Sequence, residues 1–71
     1  MTRDPVIVGM RLREAREARL LSAPQLAAVS GVSAYTIYGL ELGRNMPSLH
    51  TAVALCEALG ITPNDLVKEE K

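Results

Sequence analysis

Side chains able to do covalent or metal chemistry are few in this chain, and they are scattered. There is one cysteine, Cys56, and one histidine, His50. An internal disulfide is therefore impossible, and neither a cysteine cluster nor a second histidine exists to complete a zinc site. Cys56 falls on an apolar helical stripe, with no histidine or basic residue at helical spacing to hold it as a thiolate. It reads as a buried structural thiol. His50 reads as a surface residue in the first turn of a helix, where contact with a phosphate is its one alternative use. Glu57 and Asp65 have no pairing partner in the sequence, and no catalytic triad or glycine-rich phosphate loop is present. The expectation is no enzyme, no cofactor and no metal.

The other distinctive side chains are Tyr35 and Tyr38, the only aromatic residues. Placed on a helix with Ile37 at its buried centre, Leu40 and Glu41 share the inner side at i+3 and i+4. Tyr35, Tyr38, Gly39 and Leu42 then fall on the opposite side. An outward aromatic face marks a contact surface, offering phenol hydroxyls and apolar ring faces. A ring folded back over a neighbouring helix is the competing arrangement.

The elements that must position these residues announce themselves by their ends. Leu21-Ser22-Ala23-Pro24-Gln25-Leu26 combines a serine cap, a capping box closed by Gln25 and a hydrophobic staple. Val32-Ser33 with Ile37 repeats the staple, and Ile61-Thr62-Pro63-Asn64-Asp65-Leu66 repeats it again with proline at the first helical position. Ser48 opens a further helix after Pro47. Gly31, Gly43 and Gly60 follow apolar runs as helix stops. The spacing predicts helices at about 6–19, 23–30, 34–42, 49–59 and 63–68, and no strand. Val8, Leu12 and Ala15 form the apolar stripe of the first helix; Leu49, Ala52, Val53, Cys56 and Leu59 form that of the fourth. Arg44-Asn45-Met46 is an exposed loop, and residues 68–71 fray.

With 71 residues, the chain is read as one domain, 1–71, around a small aliphatic core. Net charge is zero. Residues 1–50 nevertheless carry six arginines against four carboxylates, and residues 51–71 two lysines against four. The first part is thus the more attractive to a polyanion. No stretch is long and apolar enough to span a bilayer and no signal-peptide pattern opens the chain, so a cytoplasmic setting is expected.

Only Gly31-Val32-Ser33 separates the second and third helices. Two short helices joined by such a turn match a helix-turn-helix unit, here about 22–42, although an ordinary corner between helices has the same form. The wider sequence resembles the phage-repressor-like, xenobiotic-response-element (Xre) helix-turn-helix family. The resemblance rests on Leu12-Arg13-Glu14-Ala15-Arg16, Leu21-Ser22-Ala23-Pro24-Gln25-Leu26-Ala27 and Gly31-Val32-Ser33. It continues through Thr36-Ile37, Leu40-Glu41-Leu42-Gly43-Arg44, Pro47-Ser48-Leu49 and Ala58-Leu59-Gly60-Ile61. These motifs occur in the family's order and spacing across residues 9–67.

The resemblance implies an all-α, five-helix, lambda-repressor-like bundle that binds double-stranded operator DNA as a transcriptional regulator, in the repressor sense, commonly as a two-fold dimer on a palindromic site. Carried over by position, Ala34, Tyr35, Thr36 and Gly39 are base-reading residues. Ser22 and Ala23 face phosphate, and Arg44 with the residues through Ser48 to Leu49 follows the sugar-phosphate backbone. Tyr38 adds a phosphate bond or an apolar contact. Arg16 and Glu41 form a partly buried ion pair. Met46, Pro63, Asn64 and Val67 lie at the dimer contact, which is small enough that DNA supplies the alignment. The chain departs from the family at Ala23, where Gln is frequent, and at Ala34 and Gly39, where polar side chains are frequent. It departs again at Leu20, where Gly is frequent; positive φ there carries strain of order 1 kcal/mol. The alternative function is a protein-interaction module or antitoxin-like partner, docking through Tyr35, Tyr38 and Leu42.

Overall fold

The computed structural model describes residues 1–69, and its order is α1 (Pro5–Ala18), α2 (Ala23–Ser30), α3 (Ala34–Glu41), α4 (Leu49–Leu59) and α5 (Pro63–Val67). Among the described residues there is no strand. Of the tail expected to fray, Glu70 and Lys71 lie outside the described residues.

Each helix starts where a short polar side chain can take an orphan amide. Ser22 Oγ accepts from Gln25 N–H at 3.1 Å while Ser22 N–H donates to Gln25 Oε1 at 2.8 Å, the reciprocal pair of a capping box. Ser33 and Ser48 cap α3 and α4 in the same way, accepting from Thr36 and Thr51 N–H at 3.1 and 3.2 Å. At α5 the Asp65 carboxylate accepts from Thr62 N–H at 2.9 Å. These bonds hold its carboxyl below the ordinary range, the backbone donor first and the Thr62 hydroxyl second. The first cap, Asp4 accepting from Val6 N–H at 2.9 Å, went unread in the sequence.

Leu20 is the only described non-glycine residue at positive φ, at 58°. It ends α1 where the family tends to have glycine, and its side chain is exposed. The strain expected from sequence is therefore present in the backbone.

One core holds the helices together: Val8 and Leu12 of α1, Ala23 and Leu26 of α2, Ile37 and Leu40 of α3, Leu55, Cys56 and Leu59 of α4, and Leu66 of α5. The stripe of α4 differs from the one read in the sequence. Its buried members are Leu55, Cys56 and Leu59, with Ala52 partly buried, while Val53 is exposed and Leu49 stands 78 % exposed. Burial of Cys56 pushes its thiol pKa up, as expected of an inert structural cysteine.

Two features of α1 escaped the sequence reading. Gly9 is buried where α1 crosses α3, and a Cβ there would overlap the Leu40 carbonyl oxygen. Arg11 donates through Nη1 to the carbonyls of Leu66 (3.1 Å) and Lys68, closing the end of α5. By contrast, Arg13 and Glu17 form an exposed i,i+4 pair at 3.2 Å, which adds little to stability.

Candidate nucleic-acid interface

The α2–α3 unit is set at its base by one ion pair. Arg16 Nε lies 2.7 Å from Glu41 Oε2 and Arg16 Nη2 2.9 Å from Glu41 Oε1, a bidentate fork. The third arm of the guanidinium, Nη1, donates to the Leu21 carbonyl at 2.8 Å. One side chain of α1 thereby grips both the entry to α2 and the last turn of α3. The side chains are 12 % and 7 % exposed, so the pair works largely out of water. The hydrogen bond to Glu41 raises the Arg16 pKa further, and the guanidinium stays charged.

With Ile37, Leu40 and Glu41 turned inward, the opposite face of α3 is open. Tyr35 is 81 % exposed and Tyr38 50 %, so neither ring fills the core, and Leu42 is exposed beside them. Ala34, Thr36 and Gly39 are partly exposed. The Thr36 hydroxyl oxygen receives the Ser33 hydroxyl proton at 2.9 Å. Among the residues of α3 there is no Arg, Lys, Asn or Gln.

The end of α3 brings Arg44 back to this face. Gly43 takes φ 75°, and the chain reverses so that Arg44 N–H donates to the Gly39 carbonyl at 3.1 Å, a Schellman closure. Substitution of Gly43 would be opposed by both its φ and its contact with Val6. As a result Tyr35, Thr36, Gly39, Arg44 and Asn45 surround one shallow cleft.

Not every expected contact residue lies on this surface. Ala23 is 2 % exposed and packs in the core, so its methyl offers nothing to a phosphate. It is the first residue of α2, where its Cβ is directed inward, and the exposed positions of that turn are Ser22, Pro24 and Gln25. Ser48 is exposed, but its hydroxyl proton is given to Thr51 Oγ1 at 3.0 Å. Met46, Pro63 and Val67 line a mainly apolar groove on another side of the molecule, together with Leu49. Asn64 is exposed on the same short helix. Among the described residues no three His, Cys, Asp or Glu side chains gather as a metal-ligand set, and no helix is long and apolar enough to cross a membrane.

Residues 7–68 match the family model of the helix-turn-helix domain. The chain belongs to that family. This helix-turn-helix chain is similar to the restriction-modification controller protein C.AhdI from Aeromonas hydrophila. The TM-score is 0.84 at 41 % identity, covering 89 % of this chain and 96 % of that one. It is also similar to the P22 c2 repressor protein solved in complex with a synthetic operator, with a TM-score of 0.82 at 28 % identity over 90 % of this chain and 97 % of that one. An HTH-type transcriptional regulator of Deinococcus deserti, DdrOP3, is 40 % identical over 58 residues, which are 82 % of this chain and 45 % of the regulator. The helix-turn-helix chain thus spans less than half the length of the curated relatives it matches. The five helices of the described residues form the lambda-repressor-like bundle that the sequence led one to expect.

Proposed function

We propose that this helix-turn-helix chain binds a specific site in double-stranded DNA and represses transcription from it, with α3 lying in the major groove. The observation that carries this reading is the exposed face of α3, set in a fixed orientation by the Arg16–Glu41 fork and flanked at its end by Arg44. A helix so presented is the recognition element of helix-turn-helix docking. The similarity to a repressor solved on its operator supports the same reading.

Roles divide by position. Tyr35 and Thr36, near the N-terminal end of α3, meet base edges together with Ala34 and Gly39. Ser22, Tyr38 and Arg44 meet sugar and phosphate, which position the domain without selecting sequence, and Ser48, its hydroxyl proton given to Thr51, joins them through its backbone N–H. The protein acts in the cytoplasm and carries out no catalysis. A second copy docks through the groove of Met46, Leu49, Pro63 and Val67, with Asn64 at its edge. Two recognition helices then address half-sites about 34 Å apart, one turn of duplex.

Selection from a random duplex pool, followed by titration of the selected site and a scrambled one across salt, tests this function. The expected result is a two-fold site bound more tightly than scrambled DNA, with affinity falling steeply as salt rises. Equal, weak and salt-insensitive retention of both duplexes would instead favour protein docking through Tyr35, Tyr38 and Leu42.

A further inference from the structure

The loop between α3 and α4, residues 42–48, serves two surfaces with neighbouring side chains. Arg44 and Asn45 line the cleft at the end of α3, whereas Met46 and Pro47 line the apolar groove on another side. Aliphatic residues, among them Leu49, Leu66 and Val67, make up most of that groove. Among the described residues, no side chain lining it can donate a hydrogen bond. Met46 packs against the core yet remains partly exposed, so the uncovered groove leaves it open to a small solute.

The other sulfur-bearing side chains are placed differently. Met10 is exposed on α1 and does not line the groove. Met1 does line it, but is exposed enough for an added polar atom to stay in water. Cys56 is buried and its thiol pKa is pushed up, which withholds the thiolate that oxidants attack. A thioether needs no deprotonation to react. With hydrogen peroxide, a sulfur lone pair takes one oxygen as the O–O bond breaks, and the other oxygen leaves with both protons as water. The sulfur is oxidised by two electrons and the peroxide is reduced.

The product, a sulfoxide, is a polar group with a strong acceptor oxygen. In the open groove, water satisfies that oxygen. Beneath a second copy, the lining side chains would leave it without a donor, which opposes burial.

We propose that Met46 is an oxidation site through which hydrogen peroxide parts the two copies and thereby loosens their joint hold on a two-fold operator. This rests on the reading of the groove as the contact with a second copy. Thiol-dependent methionine sulfoxide reduction returns the thioether and makes the change reversible.

The test compares wild type, Met46→Leu and Met10→Leu before and after treatment with hydrogen peroxide, with peptide mass mapping to locate the added oxygen. Sedimentation of the free chain reads self-association. Titration of the two-fold operator against a duplex bearing one half-site reads the gain from pairing on DNA. Oxidised wild type is expected to lose at least about tenfold of that gain, the effect of one unsatisfied buried acceptor, while its half-site affinity stays unchanged. Methionine sulfoxide reductases of both epimer specificities, with dithiothreitol, should restore it. Met46→Leu keeps nearly the same volume and should pair as wild type does, before and after peroxide; Met10→Leu should remain sensitive. Sensitivity that persists in Met46→Leu, or an equal loss on the half-site duplex, would overturn the oxidation site. So would a pairing gain that peroxide does not move, with the dimer reading left standing. Untreated protein that shows no pairing, free or on DNA, would overturn both.

Discussion

On one face of α3, Ile37 and Leu40 are buried and Glu41 is clasped by Arg16. On the other, Tyr35, Tyr38 and Leu42 stand in solvent beside a glycine with empty space above it. The two glycines nearest this helix repeat the contrast. Gly9 is required by the fold, because α1 passes too close to the Leu40 carbonyl for any side chain. Gly39 is not required by the fold at all. The inner face of α3 is thus determined by packing, whereas the outer face is free to answer to a ligand. Changes to the first should register as stability, and changes to the second as recognition.

The sharpest break in that contrast is Glu41→Gln. It leaves a buried guanidinium uncompensated, and an expected cost of about 3–5 kcal/mol in chemical denaturation follows. An unchanged midpoint would show that the fork does not hold α3 against α1. Next comes Gly9→Ala, expected to lose about 1–3 kcal/mol as the helices are forced apart. Thermal melting reads this directly, and a variant as stable as wild type would remove the distinction between the two glycines.

Across the helix, Tyr35→Ala should leave the melting midpoint nearly unchanged but lose roughly 1–3 kcal/mol of affinity for the selected operator. Arg44→Ala should weaken all duplexes alike and flatten the salt slope by about one unit. If Tyr35→Ala instead weakened every sequence equally, the outer face would be a phosphate platform and not a reader.

The smallest effect lies far from both faces. The Asp65 carboxyl is held low by Thr62, so its cap is fully in place above the ordinary aspartate pKa of about 3.9 and is lost as pH falls through the lowered folded value. Asp65→Asn should therefore melt slightly below wild type at neutral pH, and the two curves should converge in strong acid. A difference that persists there would mean that packing, not the cap, separates them.

Much of this architecture was legible because helix ends are local chemistry. Ser22, Ser33 and Ser48 each take the amide three residues on, and Asp65 takes that of Thr62, so their signal lies in short runs of sequence. The turn at Gly43 was readable for the same reason, whereas the positive φ of Leu20 followed only from the resemblance to the family. What depended on distant chain was harder to see. Gly9 looks like a weak point in a helix until α3 is laid across it. Arg11 looks solvated until α5 arrives 55 residues later. The stripe of α4 was read with Leu49 and Val53 inside, yet its buried part begins only at Leu55, with Ala52 partly buried. Ala23 was carried over as a phosphate contact by position alone. Burial, which belongs to the packed bundle, takes its methyl off that surface.

The clasp between Arg11 and the end of α5 carries a further consequence. A helix of five residues is too short to persist by its own hydrogen bonds. Here its terminal carbonyls are held by Arg11, and Thr2 N–H takes the Val67 carbonyl at 2.6 Å. The first residues and the last helix therefore open as one cooperative unit, whose amides should exchange with solvent together. Leu66 and Val67 also wall the apolar groove beside Leu49. Opening that unit dismantles the groove, so the self-association proposed through it would require the clasp to be closed.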